Sequence, residues 1–152
     1  MRTVWNNCRH MLETLQLRDA MENLYRVFES YGLRPDTDAC PCCHPAQEEQ
    51  QLHVPLLRKL TTSNLRSYAM DALYVWGDEQ DFKHFLPRIF ELLKSSEDFD
   101  FVDPQTVFRK LVYQSHWRSW PRPAADAIAS YFERLWEAAI NSDPEDLGQW
   151  RR

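Results

Sequence analysis

The sequence predicts an all-α fold of stacked antiparallel helical hairpins, a superhelix or bundle of about six to seven helices with one long cysteine-containing loop. Three observations predict it. Apolar residues recur at helical spacing through most of the chain. No convincing alternating strand occurs, Phe99-Asp100-Phe101 being the nearest approach. Glycine is scarce, with three residues, at 32, 77 and 148. Phosphate cradles, dinucleotide folds and nucleophile elbows need clustered glycine, so that the backbone can approach a ligand at unusual dihedrals. Those classes are disfavoured at once.

The elements follow in order. Leu17, Met21, Leu24, Phe28 and Tyr31 share one face of a helical stretch over 3–31. Asp19 and Glu22 have capping-box spacing and would split it in two; a single long helix is the alternative. Gly32 is placed to end it in the left-handed region. Residues 33–54 read as a loop with Pro35, Pro41 and Pro45, too long for a plain connector. Pro55 to Leu60 can form a short helix. Thr62 or Ser63 caps the next helix, which carries Leu65, Tyr68, Ala69, Ala72, Leu73 and Trp76 and stops at Gly77.

Asp78 then caps a helix whose Phe82, Phe85, Leu86, Ile89, Phe90 and Leu93 form one stripe, with Pro87 predicting a kink or a fresh start. Lys83, Arg88 and Lys94 fall on the face expected to meet solvent. Asp103-Pro104 reads as N-cap and first helical residue ahead of Val107, Phe108, Leu111 and Val112. Trp117 to Pro123 is a turn. A last helix carries Ile128, Tyr131, Phe132, Leu135, Trp136 and Ile140, and Asp143-Pro144 ends it.

A shift of 43 residues lays Leu65 on Phe108, Phe85 on Ile128 and Leu93 on Trp136. Helical repeats of roughly 40–47 residues are of the HEAT or armadillo type. The stretch Ser67 to Asp78 resembles the inner helix and turn of a HEAT repeat. Any two amphipathic hairpins can align in this way, so the echo supports hairpins more firmly than a true repeat.

With 152 residues, 18.2 kDa and a net charge of −5, the chain reads as a single domain with an acidic balance. Residues 33–54 are its cysteine/proline loop and 141–152 a loose tail. The balance disfavours direct nucleic-acid binding and suits a basic partner. No apolar run reaches the roughly 20 residues of a membrane span. The first residues lack the apolar segment of a signal peptide. A cytoplasmic protein is expected. Cys8, Cys40, Cys42 and Cys43 then point to thiols or a metal rather than to a disulfide scaffold.

The strongest constellation is Cys40-Pro41-Cys42-Cys43-His44-Pro45. Three thiols and an imidazole in five residues suit Zn²⁺, and Cys40 with Cys43 has C-x-x-C knuckle spacing. The expected cofactor is a structural zinc held by Cys40, Cys42, Cys43, His44 and His84, with His53, Cys8 and His10 as further donors within the chain. Reduced buried thiols, or a reversible Cys40–Cys43 disulfide, are the alternatives. His84, taken alone, fits a hydrogen-bonded core or edge histidine better than a ligand. Asp78 and Asp81 fit cap and first-turn carboxylates better than a catalytic acid pair.

The acidic stretch around Glu97, Asp98 and Asp100 interleaves carboxylates with Phe99 and Phe101. Together with Trp117 and Trp120 it is the expected partner-binding surface, able to meet a basic cleft. A solvated loop with its rings folded inward, and core packing of the two tryptophans, are the plainer accounts. No catalytic set converges.

The motif order Cys40-Pro41-Cys42-Cys43, Tyr68-Ala69-Met70, Trp76-Gly77-Asp78, then Asp81-Phe82-Lys83-His84-Phe85-Leu86-Pro87-Arg88-Ile89-Phe90-Glu91-Leu92-Leu93 resembles an uncharacterised bacterial helical protein family. Trp117-Arg118-Ser119-Trp120 and the segment from Phe132 to Trp136 carry the resemblance further, over most of residues 38–140. It implies a bacterial cytosolic helical protein and nothing about chemistry. The acidic balance, the acidic-aromatic strip and the lack of a catalytic set make the expected function a non-enzymatic protein-binding module of the immunity or antitoxin type, with a basic toxin domain as partner. A zinc-dependent enzyme or metal/redox sensor built on Cys40–His44 is the second expectation, and a small-molecule-binding regulator the third.

Overall fold

A computed structural model of the chain describes residues 2–95 and 101–141. Six α-helices occur among them: α1 (Arg2–Phe28), α2 (Ala46–His53), α3 (Thr62–Asp71), α4 (Glu79–Ser95), α5 (Pro104–Arg109) and α6 (Arg122–Asn141). No strand occurs among these residues, and the fold is all-α. No described helix is long and apolar enough to cross a membrane. The chain divides into two compact units, Met1–Val27 with Pro121–Arg152, and Phe28–Trp120.

In the first unit α1 runs unbroken, so Asp19 and Glu22 lie inside one long helix. Leu17, Ala20, Met21 and Leu24 are buried, as are Ala124, Ala127, Ile128 and Tyr131 of α6. Asn141 Nδ2 donates to Glu13 Oε1 at 2.8 Å, near the end of α6.

The second unit is built around α3 and α4, with α2 and α5 against α3. Thr61, rather than Thr62 or Ser63, caps α3. Its hydroxyl accepts from the Asn64 N–H while the Asn64 side chain accepts from the Thr61 N–H, a complete capping box. The stripe on α4 is buried as expected, through Phe82, Phe85, Leu86, Ile89 and Phe90. Tyr68 lies between Trp76, with centroids 5.6 Å apart at 81°, and Phe85, at 4.6 Å. Such aromatic pairs add about 0.5–1.5 kcal/mol beyond burial.

Several expectations change. Pro87 sits inside an unbroken α4 and marks no fresh start. Gly32 is not left-handed, and α1 stops at Phe28 before it. The long loop is shorter than 33–54, because α2 begins at Ala46. The α3 helix ends at Asp71, not at Gly77: Leu73 turns to φ 67° and Gly77 to φ 71°. The intervening turn is closed by the Leu73 N–H donating to the Trp76 carbonyl. Lys83 is buried rather than solvated. Its ammonium lies 4.9 Å from the Tyr31 ring centroid and 4.6 Å from that of Trp120, paired with Glu79 at 2.6 Å.

Candidate metal centre

The thiol loop lies in the second unit and is tied down on both sides of its cysteines. On the N-terminal side, Arg34 forks onto Asp81 of α4, with Nε 3.2 and 3.0 Å from the two carboxylate oxygens and Nη2 2.5 Å from Oδ2. The Asp81 side chain is 0 % exposed, and it also accepts from the Asp78 N–H. Asp78 in turn caps α4 through Oδ1, which accepts from the Gln80 and Asp81 N–H groups. Arg34 Nη1 reaches Asp38 at 3.1 Å. Hydrogen bonding to Asp81 raises the guanidinium pKa above its already high ordinary value.

Thr37 is the second anchor. Its N–H and hydroxyl both donate to Glu49 Oε1 at 2.8 Å, and the hydroxyl accepts from Trp76 Nε1 at 2.8 Å. Next along the chain, Asp38 takes a positive φ of 53° while its N–H donates to Asp36 Oδ1. The Cys40 N–H donates to the Val75 carbonyl at 3.1 Å.

The cysteines themselves sit on a single tight turn. The N–H groups of Cys43 and His44 donate to the Cys40 carbonyl at 3.0 and 2.9 Å. Pro41 suits such a start because its φ is already near the helical value. The turn converges three side chains: the Sγ atoms of Cys40, Cys42 and Cys43 all lie within 4.8 Å of one another. Cys40 and Cys42 are 2.7 Å apart and Cys42 and Cys43 3.7 Å. Zinc–sulfur bonds of about 2.3 Å in a tetrahedral shell place sulfurs about 3.8 Å apart. The second spacing matches that value; the first is shorter, so a bound ion would have to part those two sulfurs. The cluster can hold a metal ion.

Its electrostatics favour a thiolate at Cys40. Hydrogen bonds from the Cys42 thiol, then from the Cys42 backbone and the Cys43 thiol, bring the Cys40 pKa down to about 7. Hydrogen bonds to the Cys42 and Cys40 sulfurs, and then their negative charge, push Cys43 up to about 11. Cys42 and Cys43 are exposed and Cys40 half-buried, so the sulfurs face solution.

Both histidines expected as ligands are engaged elsewhere. His44 turns away from the sulfurs, with Nδ1 hydrogen-bonded to Glu48 Oε2 at 2.9 Å and Nε2 3.0 Å from Asp71 Oδ2. Its ring packs on Trp76 with centroids 4.3 Å apart. It therefore braces the turn against α2, α3 and Trp76 instead of joining the donor set. His84 donates from Nδ1 to the Tyr31 carbonyl at 2.9 Å, and burial lowers its pKa. This is the hydrogen-bonded edge histidine, half-buried beside the core.

The expected partner surface fares differently in its two halves. Glu97, Asp98 and Asp100 lie outside the described residues. Trp117 and Trp120 are 8 % and 6 % exposed, so they form no aromatic face for a partner. Trp120 packs on Phe28, 6.1 Å between centroids, and under Lys83.

Two features of the site escape sequence reading: Arg34 and Thr37. Their partners lie 47 and 12 residues away, and the second bond to Thr37 comes from Trp76. The only local hint is that Arg34 and Thr37 lie on either side of Pro35-Asp36 at the entrance to a cysteine loop. No protein-family model matches the chain, and neither a curated protein nor a solved structure matches it.

Proposed function

We propose that this chain is a metal-binding helical protein in which Cys40, Cys42 and Cys43 hold a thiophilic ion, zinc being the cofactor to which the residue types point. One observation carries the reading: three sulfurs converge within 4.8 Å on a turn that is anchored independently of them. A prearranged turn lowers the entropy lost on binding. Zinc would take these three thiolates and complete its shell with a non-protein ligand such as water, which is the donor count of an open rather than a closed zinc site. That arrangement suits a sensor more than a buried structural staple.

The test is elemental. The reduced chain, loaded with zinc and dialysed, is expected to keep one zinc per molecule. Cys40→Ser, Cys42→Ser and Cys43→Ser are each expected to lose it, while Cys8→Ser and His84→Gln keep it. Cobalt substitution is expected to give intense sulfur-to-metal absorption. Zinc that ignores these cysteines, or none at all, overturns the reading.

A second reading, protein binding of the immunity or antitoxin kind, draws on a different observation. Met70, Tyr74 and Val75 leave large apolar side chains exposed beside the thiol loop, where Cys40 bonds to Val75. With a net charge of −5, a basic protein is the partner that fits. Co-purification with the product of an adjacent gene, weakening as salt rises, supports it. No complex at low salt, or a complex unaffected by Tyr74→Asp, counts against it.

A further inference from the structure

We propose that the three sulfurs of Cys40, Cys42 and Cys43 form a three-coordinate site for trivalent arsenic, a proposal that rests on the reading of this turn as a thiophilic-ion site. The argument begins with the donor count. Among the described residues, the group that converges here contains three cysteines and no further Cys, His, Asp or Glu. His44, the neighbour that would complete a tetrahedron, lies outside the converging group: Nδ1 is hydrogen-bonded to Glu48, and Nε2 lies 3.0 Å from Asp71 Oδ2 without a hydrogen bond. Zinc wants a fourth ligand. Trivalent arsenic, with a lone pair in its fourth direction, is satisfied by three sulfurs.

Charge points the same way. Residues 33–49 contain Asp36, Asp38, Glu48 and Glu49 against a single Arg34, which is already held by Asp81 and Asp38. Three thiolates on a divalent ion leave a net charge of −1 beside these carboxylates, whereas the arsenic tris-thiolate is uncharged. Like charge placed here is disfavoured, and a neutral product avoids the repulsion.

The reaction balances without an oxidant. Arsenous acid carries three hydroxyl groups on arsenic. Three As–O bonds break, three As–S bonds form, and each thiol proton leaves with a hydroxide as water. Arsenic stays trivalent and no sulfur changes oxidation state. Access is open, since Cys42 and Cys43 face solution. The turn is held by Arg34, Thr37 and His44, none of which donates to the ion.

The test uses the reduced full-length chain, titrated anaerobically with sodium arsenite at neutral pH. Reactive thiols are counted with a disulfide reagent and bound arsenic by native mass spectrometry. One arsenic per chain is expected, with reactive thiols falling from four to one, because the fourth cysteine, Cys8, is not in the cluster. Single changes Cys40→Ser, Cys42→Ser and Cys43→Ser are each expected to weaken arsenite binding by at least about tenfold, a loss on the scale seen when a metal site loses a supporting contact. Cys8→Ser leaves it unchanged, and circular dichroism checks that every variant keeps its helices. Full arsenite affinity in any one of the three loop variants shows a two-sulfur chelate and overturns the proposal. If arsenite protects no thiol while zinc still protects these three, the arsenic proposal falls and the zinc reading stands. If neither protects them, both fall.

Discussion

Arg34 and Lys110 each bring a cation against the region where α3 gives way to α4, and they are held in opposite ways. Arg34 forks onto a fully buried carboxylate, Asp81, and keeps part of its guanidinium in water. Lys110 is 1 % exposed and has no carboxylate within bonding distance among the described residues. Its ammonium donates to the Ala72 carbonyl at 2.7 Å and lies 4.1 Å from the Tyr74 ring centroid. The consequences for charge are opposite as well. Pairing strengthens the Arg34 cation, whereas burial pulls the Lys110 pKa down to about 8, with Asp71 only partly offsetting it. Lys110 also opens a turn of π-helix, Lys110–Gln114, a geometry that often marks a functional bulge. One cation is a paired clamp on the thiol loop. The other is a buried charge tolerated because it closes the carbonyl at the end of α3.

Breaking the clamp is the largest expected effect. Asp81→Ala removes a buried acceptor that serves both Arg34 and the Asp78 N–H, and is expected to cost about 3 kcal/mol, at the lower end for splitting a buried pair, because Arg34 can turn to water. Urea unfolding followed by tryptophan fluorescence measures it. Arg34→Met strands the carboxylate itself and is expected to lose more. A cost below that of Lys110→Met for either variant would reverse the comparison. Gly77→Ala attacks the same clamp from the backbone. Gly77 sits at φ 71°, and an added Cβ would lie 3.0 Å from Asp81 Oδ2. A loss of at least about 1 kcal/mol is expected from the backbone alone.

These two cations also show where sequence reading reached and where it stopped. The α4 stripe, the Asp78 cap and the Asp103-Pro104 start are local patterns, and each stands in the structure. The convergence of Cys40, Cys42 and Cys43 was legible because a proline-led turn brings near neighbours together. The end of α3 was not. Ala72 to Trp76 contain no helix breaker, and the bonds that accompany the turn include one from Lys110, 38 residues away, to the Ala72 carbonyl. Lys83 misled for the same reason. Its position on α4 falls on the polar face, yet Tyr31 and Trp120 arrive from other segments to cover it. His44 departs from its expected place as a ligand because adjacency to cysteines says nothing of ring direction, which Glu48, Asp71 and Trp76 decide.

An intermediate effect is expected from Trp76→Phe, which keeps the ring against Tyr68 and His44 but removes the donor to Thr37. It is expected to cost about 1 kcal/mol, the net value of one buried hydrogen bond. It is also expected to speed thiol modification of Cys40, because the loop loses one of its anchors. Unchanged reactivity would show that the remaining anchors, Arg34 on Asp81 and Thr37 on Glu49, hold the turn without Trp76.

The smallest effect sharpens the other side of the comparison. In the folded chain Lys110 loses its proton near pH 8, and in the unfolded chain near its ordinary value of 10.5. Below pH 8 both states are protonated and the full cost of burying the cation is present. Between these values the unfolded chain binds more protons than the folded one, so stability rises with pH. The rise is expected to be on the order of 1 kcal/mol once partial solvent screening is allowed for. Lys110→Met abolishes it. The same substitution leaves the Ala72 carbonyl without its donor, which works against the benefit of removing a buried charge, so the net change at pH 7 is expected to stay within about 1 kcal/mol. Denaturation midpoints at pH 7 and pH 9.5, compared for the natural chain and the variant, separate the two terms. A midpoint for the natural chain that falls with pH, or an equal pH response in Lys110→Met, would mean that Lys110 is no buried cation at all.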